Sequence, residues 1–227
     1  MVSNSARRRV WRWGRACRRP FSIRKDHLID HLEEYVKSVA TYLRKLRVEF
    51  AIVGGIAVSL RTIERFTKDV DFAISVSSES EAESIVDSLR KAGFRIAMFL
   101  EKEDDGLLMT VRLKSGAEVE VFVDLLFGTS GIEQEVVASA TELEVFPGFV
   151  DRLASVPSLI AMKVLSADWK TRPQDILDLQ SLLEVASTED IEKSRKLLDL
   201  ITKRGYNRNK DLLRDLDEYI ERFGIGL

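Results

Sequence analysis

The sequence predicts an α+β protein in which β-strands occupy the N-terminal half and helices the C-terminal half. Short runs of apolar and β-branched residues, each long enough for one strand, recur between residues 50 and 126. From residue 155 onward, apolar residues instead recur three and four positions apart, which is typical of amphipathic helices. Strands and helices segregated in this way define the α+β class, and we expect a cleft where the two halves meet.

Length and composition favour a soluble, globular chain. It has 227 residues, of which 45% are apolar, enough for a substantial core. No apolar run approaches a transmembrane length and the N-terminus lacks the apolar stretch of a secretory signal, so a cytoplasmic location is expected. Cys17 is the single cysteine and His27 and His31 are the only histidines, which disfavours disulfides and Cys/His zinc sites. Any bound metal is expected to be hard, with oxygen ligands.

Charge is distributed unevenly along the chain. Residues 1–25 contain nine basic side chains and no acid, whereas residues 26–227 carry a formal charge of about −11. Trp11 and Trp13 lie among the arginines, a composition that can stack on bases and neutralise phosphates. A flexible N-terminal arm without a structural role is the favoured interpretation, and nucleic-acid binding is the alternative. The arginine-rich start also resembles an organellar transit peptide in composition alone.

The elements of the N-terminal half follow from apolar spacing and turn residues. A helix is predicted over residues 26–47, a strand over 50–53, a short helix over 56–60 and a strand over 70–76. Ser77 or Ser78 caps a helix through Gly93, a candidate residue just past its C-terminus. Three strands follow, at 94–100, 107–113 and 118–126, with a hairpin turn at 114–117, and residues 132–153 are predicted as connecting strands.

Four helices are predicted in the C-terminal half. Ser155 caps the first, over residues 156–166, with Pro157 in its first turn, where the missing N–H of proline costs nothing. Pro173 opens the second, to residue 183. Thr188 caps the third, to about residue 203, and Asn209 or Lys210 begins the last, to residue 223. The domains are therefore predicted as 1–25, 26–153 and 154–227.

Two short motifs lie close together in the sequence. Gly54 and Gly55 end an apolar strand before a short helix, where free backbone N–H groups can face an anion. Asp69 and Asp71 are one residue apart in a β-branched run, so both project from the same side of a strand. Paired carboxylates suit a divalent metal. A phosphate-binding turn is thus predicted beside a metal-binding strand.

A third carboxylate lies on a separate predicted strand. Asp124 falls on the more polar face of residues 118–126, within an otherwise apolar run. Burying an acid there is costly unless it has a partner, such as a metal ion. Asp124 is therefore a candidate third ligand.

Together these residues resemble the nucleotidyltransferase fold of the DNA polymerase beta superfamily and, within it, the AbiEii toxin family of type IV toxin–antitoxin pairs. The first block of the resemblance is the string Gly-Gly-Ile-Ala from Gly54, followed by Arg65, Thr67, Asp69 and Asp71. The second block is PSLIAMK at residues 157–163, followed by Arg172, Asp175 and Asp178. The resemblance spans about residues 48–184 and implies a mixed β-sheet in a nucleotidyltransferase core at 26–153, with a helical domain at 154–227.

The resemblance also implies roles for individual residues. Asp69, Asp71 and Asp124 would hold two Mg²⁺ or Mn²⁺ ions, which activate the attacking hydroxyl and neutralise the triphosphate. Lys163 would be catalytic, balancing triphosphate charge, with Asp178 or Asp175 orienting it or the base. The implied nucleotide-binding residues are Gly54, Gly55, Ser59, Arg65, Thr67, Arg172, Asp175 and Asp178.

The chain departs from the family pattern at two positions. Ile56 follows Gly55 where the superfamily often has serine, so Ser59 is the available source of a hydroxyl. Gln174 and Asp175 replace a common Arg-Asp pair, which leaves Arg172 as the nearest arginine.

Structural interpretations remain open for several of these residues. Lys163 is flanked by apolar residues and can simply extend from a helix toward solvent. Asp175 and Asp178 share a helix face and can pair with Arg172 or Lys170. Arg61 and Arg65 can pair with acids or with phosphates, and the histidines fit a surface helix better than a metal site.

The resemblance implies an enzyme that moves NMP from an NTP such as ATP to tRNA or protein, regulated by a cognate antitoxin and without a membrane partner. One alternative is nucleotidylation of a small molecule, as in aminoglycoside-modifying relatives of the fold. A further alternative is a nucleotide-sensing module that does not turn over. The three intact carboxylates favour the enzyme, because a module without catalytic demand need not keep them.

Overall fold

The computed structural model describes residues 20–63, 67, 69–101, 107–116 and 120–225. Residues 1–19, which make up most of the predicted arm, and Arg65 lie outside the described residues, as does the part of the predicted turn and strand at 117–119. No helix in the described ranges is both long and apolar enough to cross a membrane.

The first part of the chain contains all seven strands together with four helices among the described residues. These elements are α1 (Pro20–Lys45), β1 (Glu49–Val53), α2 (Gly54–Arg61), β2 (Asp69–Ser75), α3 (Glu79–Lys91), β3 (Arg95–Glu101), β4 (Leu108–Lys114), β5 (Phe122–Leu126), α4 (Glu133–Ala138), β6 (Thr141–Phe146) and β7 (Phe149–Leu153). Four helices complete the chain: α5 (Val156–Ser166), α6 (Pro173–Val185), α7 (Thr188–Lys203) and α8 (Leu212–Arg222). The predicted α+β class is confirmed.

One mixed sheet of seven strands, in the order β3-β4-β5-β2-β1-β7-β6, forms the centre of the N-terminal half. Strand β2 runs parallel to β5 and β1 runs parallel to β7, whereas the other neighbouring pairs are antiparallel. The central strands are buried, with Phe72, Ile74 and Leu125 fully enclosed. Helices α2 and α4 both pack on β2.

Helix α2 connects the sheet to the helical half. It contacts β1 and β2 on one side and α5 and α6 on the other. Five consecutive residues, from Gly55 to Ser59, are buried as a result. Helix α2 thus packs against both the strand that carries Asp69 and Asp71 and the helices that carry Lys163 and Asp175.

Several predicted boundaries differ from the structure. Helix α1 is described from Pro20 and so extends ahead of the predicted start at residue 26. The strand predicted at 118–126 is limited to Phe122–Leu126. Helix α4 lies where only strands were predicted, because the carboxylate of Glu133 accepts hydrogen bonds from Thr129 and Ser130 at its start.

The helix caps are partly as predicted. Ser78 caps α3 by accepting a hydrogen bond from the backbone N–H of Glu81. Ser187, not Thr188, caps α7, in a capping box with Asp190. Helix α8 begins at Leu212, because two residues before it, Arg208 and Asn209, have φ of 54° and 58°, which an α-helix excludes. The helix therefore begins later than the predicted start at Asn209 or Lys210.

Candidate active site

Three carboxylates lie on one face of the central sheet. Asp71 of β2 is aligned with Asp124 of the parallel strand β5. Asp69 precedes Asp71 by two residues on the same strand and so projects from the same face. The structure thus brings together the three acids that the sequence predicted as metal ligands.

The glycine turn lies directly against this acidic face. Val53, the last residue of β1, is aligned with Asp71, and Gly54 follows it at φ +64°. A Cβ atom added to Gly54 would lie 1.8 Å from Asp71 Oδ2. Only glycine fits there, because any side chain would displace the carboxylate and would also strain the backbone. Gly54 and Gly55 form the first turn of α2 instead of preceding it as predicted, and the backbone N–H groups of this turn lie beside Asp71.

Two hydroxyl side chains predicted to bind nucleotide have local roles in the structure. Ser59 is buried within α2. The Thr67 hydroxyl donates to the backbone carbonyl of Asp69 at 3.1 Å and so fixes the start of β2. Arg61, for which both acids and phosphates were considered, instead donates to the carbonyls of Leu153 and Ala154 and to the hydroxyl of Thr141.

The acidic face carries an excess of negative charge. Burial, together with the nearby carboxylates of Asp124 and Asp69, raises the pKa of Asp71 to about 6, while Lys163 and Arg112 act in the opposite direction. The neighbouring carboxylates would stabilise a positive charge placed beside Asp71. Because the charge of Lys163 lowers the pKa of Asp71, Lys163 lies within electrostatic reach of the sheet carboxylates.

Arg112 of β4 is a site residue that sequence reasoning missed. Its Nε donates to Asp124 Oδ1 at 2.8 Å and its Nη2 donates to Asp124 Oδ2 at 2.6 Å. Strands β4 and β5 are antiparallel and align these two residues directly. A basic residue in an apolar strand was the available signal, but the long turn between the strands left the register open.

A second charged cluster lies between α5 and α6. Lys163 Nζ lies 2.5 Å from Asp175 Oδ1 and 2.8 Å from Asp178 Oδ2, and all three residues are buried. Arg172 Nε lies 2.8 Å from Asp175 Oδ2, in an ion pair that lacks hydrogen-bond geometry. Gln174 donates to Asp178 Oδ1 at 3.1 Å. Lys163 therefore does not extend into solvent but is held between two carboxylates.

The donor chemistry of the sheet face suits a hard divalent cation. Asp69 and Asp71 offer carboxylate oxygens on one side of β2, beside the first turn of α2. Within the described residues, however, no group of three or more His, Cys, Asp or Glu side chains is arranged to hold a metal ion. Both oxygens of Asp124 are engaged by Arg112, so Asp124 would join a metal only after leaving that arginine.

The mixed sheet, its acidic face and the adjoining glycine turn define a nucleotidyltransferase. A family model described as "Nucleotidyl transferase AbiEii toxin, Type IV TA system" matches residues 40–223, and the chain belongs to this family. The resemblance inferred from the sequence is confirmed. The searched curated proteins gave no significant match.

Several solved structures are similar to this chain. An antigenic nucleotidyltransferase-like protein from Paracoccidioides brasiliensis is 21% identical, with a TM-score of 0.47 over 83% of this chain and 93% of that one. A putative nucleotidyltransferase from H. pylori is 16% identical, with a TM-score of 0.45 over 88% and 92%. The lincomycin-bound lincosamide antibiotic adenylyltransferase LnuA is 12% identical, with a TM-score of 0.43 over 68% and 98%.

Proposed function

We propose that this nucleotidyltransferase moves NMP from an NTP to a macromolecular acceptor, tRNA or protein, in a reaction that depends on Mg²⁺ or Mn²⁺. In this proposal it acts in the cytoplasm as the toxin of a type IV pair, with a cognate antitoxin as its regulator. The observation that carries the proposal is the alignment of Asp71 with Asp124 on one sheet face, with Asp69 beside them and Gly54 against Asp71.

The sheet residues provide the ligands for the cation. Asp69 and Asp71 would hold it, and Asp124 would complete the set. When bound, the cations supply charge neutralisation at the triphosphate and lower the pKa of the attacking hydroxyl. The chain itself has little covalent chemistry to perform in such a transfer, because positioning and electrostatic stabilisation account for most of the rate enhancement.

The remaining residues bind and orient the nucleotide. The backbone N–H groups of Gly54 and Gly55 would receive a phosphate at the start of α2, where the helix dipole also favours negative charge. Lys163 is fixed in position by Asp175 and Asp178, so its ammonium group is oriented before any ligand arrives. Arg172 is the more accessible cation, since its side chain is 56% exposed.

The proposal is tested by incubating the purified chain with each labelled NTP, Mg²⁺, total cellular RNA and a protein extract. We expect label to enter one macromolecular fraction, and the double variant Asp69→Ala/Asp71→Ala to reduce transfer by about a thousandfold or more. The control is Asp199→Ala/Asp217→Ala, which removes two acids exposed on α7 and α8. Unchanged transfer in the Asp69/Asp71 variant would show that the proposal is wrong.

A further inference from the structure

Arg112 occupies the position that a metal ion would need at Asp124. Its two hydrogen bonds engage both oxygens of the carboxylate, in the bidentate geometry that makes Arg–carboxylate pairs strong. Asp124 is only 7% exposed, so its oxygens have little access to water as an alternative partner. Asp124 can therefore exchange Arg112 only for another cation without leaving a buried charge unpaired.

Arg112 also interacts with the rest of the acidic face. The strand register places Arg112 next to Asp124, and Asp124 next to Asp71, so the three residues lie side by side across β4, β5 and β2. The guanidinium lies over the Phe122 ring, 5.4 Å from the ring centroid, in a cation–π contact that stabilises its orientation. Arg112 thus partly neutralises the same charge that a divalent cation would neutralise.

The two ends of this ion pair differ in their freedom to move. The Asp124 carboxylate is fixed on a central strand, whereas the Arg112 side chain is 34% exposed and so has solvent within reach. If a cation bound at Asp69 and Asp71, it would attract Asp124 and repel the guanidinium. The side chain of Arg112 is then the one that leaves.

We propose that Arg112 is a built-in competitor of the divalent cation, holding Asp124 until a metal ion displaces it and thereby lowering the metal affinity of the nucleotide-free enzyme. This inference rests on the proposed function, because it assumes that Asp69 and Asp71 bind a cation. If Arg112 instead positioned Asp124 for the metal, removing Arg112 would lower the metal affinity. Our proposal predicts that removing Arg112 raises it.

The test is a titration of the full chain with Mn²⁺ in the absence of nucleotide, monitored by electron paramagnetic resonance of free Mn²⁺. We expect Arg112→Gln to bind Mn²⁺ about tenfold more tightly than the unmodified chain, since it removes a charge-assisted competitor. Arg112→Lys keeps the charge but not the bidentate geometry, so an intermediate affinity is expected. Lys114→Gln, on the same strand and paired with Glu120, is the control for loss of one positive charge.

A second set of variants, which all carry Asp124→Asn, shows whether Arg112 acts through Asp124. In Asp124→Asn chains the competition no longer exists, and Arg112→Gln should then change Mn²⁺ affinity by less than about threefold. Unchanged or weaker Mn²⁺ binding in Arg112→Gln and Arg112→Lys, when both are folded by circular dichroism and the unmodified chain binds, would overturn the inference alone. If neither the unmodified chain nor any variant binds Mn²⁺, the proposed metal dependence and this inference are both wrong.

Discussion

In the helical half Lys163 and Arg172 form ion pairs with Asp175 and Asp178, whereas on the sheet Arg112 is paired with one of three neighbouring carboxylates, Asp124. The first cluster has as many cations as acids and its hydrogen bonds are made within the chain. On the sheet, burial and the neighbouring carboxylates of Asp124 and Asp69 raise the pKa of Asp71. The same residue types thus form a cluster of mutual ion pairs in one half and, in our proposal, a ligand site in the other. Substitutions in the two clusters should therefore have opposite effects on stability.

The largest effect is expected for Lys163→Ala. It leaves Asp175 and Asp178 buried without their common partner, and breaking a buried ion pair from one side costs about 3 to 5 kcal/mol. Urea unfolding measures the loss, with the exposed Lys170→Ala as a control that should change stability by less than about 0.5 kcal/mol. A loss below about 1 kcal/mol for Lys163→Ala would show that the helical cluster does not support the fold.

The next effect concerns the turn that abuts the acidic face. Gly54→Ala should destabilise the chain by about 2 to 3 kcal/mol, because its Cβ would meet Asp71 in addition to the strain at positive φ. Gly148→Ala is a matched control: φ is +73° but nothing lies within 4 Å of the added Cβ, so about 1 kcal/mol is expected. Equal losses for the two variants in urea unfolding would mean that the contact between Gly54 and Asp71 is unimportant.

A smaller effect, of opposite sign, is expected on the sheet. The folded-state pKa of Asp71, about 6, lies above the ordinary value of 3.8, so the folded chain binds this proton more tightly than the unfolded chain. Stability therefore falls as pH rises from about 4 to about 6. Asp71→Asn, which carries no charge, should stabilise the metal-free chain by about 1 kcal/mol at pH 7.5 and by less at pH 5.

Thermal unfolding in the presence of a chelator, at the two pH values, checks this prediction. The exposed Asp199→Asn serves as the control and should shift the melting temperature little at either pH. Lower stability of Asp71→Asn at pH 7.5 would show that the Asp71 carboxylate is satisfied without a metal.

The contrast between the clusters also separates what the sequence predicts from what it does not. Asp69 and Asp71 share a strand, and Asp175 and Asp178 share a helix face, so local periodicity was enough to group each pair. Predicting that Arg112 is the partner of Asp124 would have required the register between strands β4 and β5. The hairpin turn predicted at 114–117 did not give this register, since Lys114 is aligned with Phe122 in the structure.

Helix α4 was missed for a related reason. Its Val136 and Val137 suggest a strand when considered locally, because β-branched residues favour extended structure. In the structure both valines are buried, and Glu133 is held by the preceding loop. Tertiary burial and a loop contact, neither visible in the local pattern, decide the conformation there.

Arg172 provides the smallest expected change in stability and the sharpest distinction between structural and ligand-binding roles within the helical cluster. Its ion pair with Asp175 is largely solvent-exposed on the arginine side, so Arg172→Gln should cost less than about 1 kcal/mol in urea unfolding. If Arg172 contacts the nucleotide, as the family pattern implies, the same substitution should raise the KM for the NTP about tenfold. Arg195→Gln, which removes an exposed arginine paired with Asp217 on a neighbouring helix, should alter neither quantity. An unchanged KM would assign Arg172 to the ion-pair cluster of α5 and α6 alone.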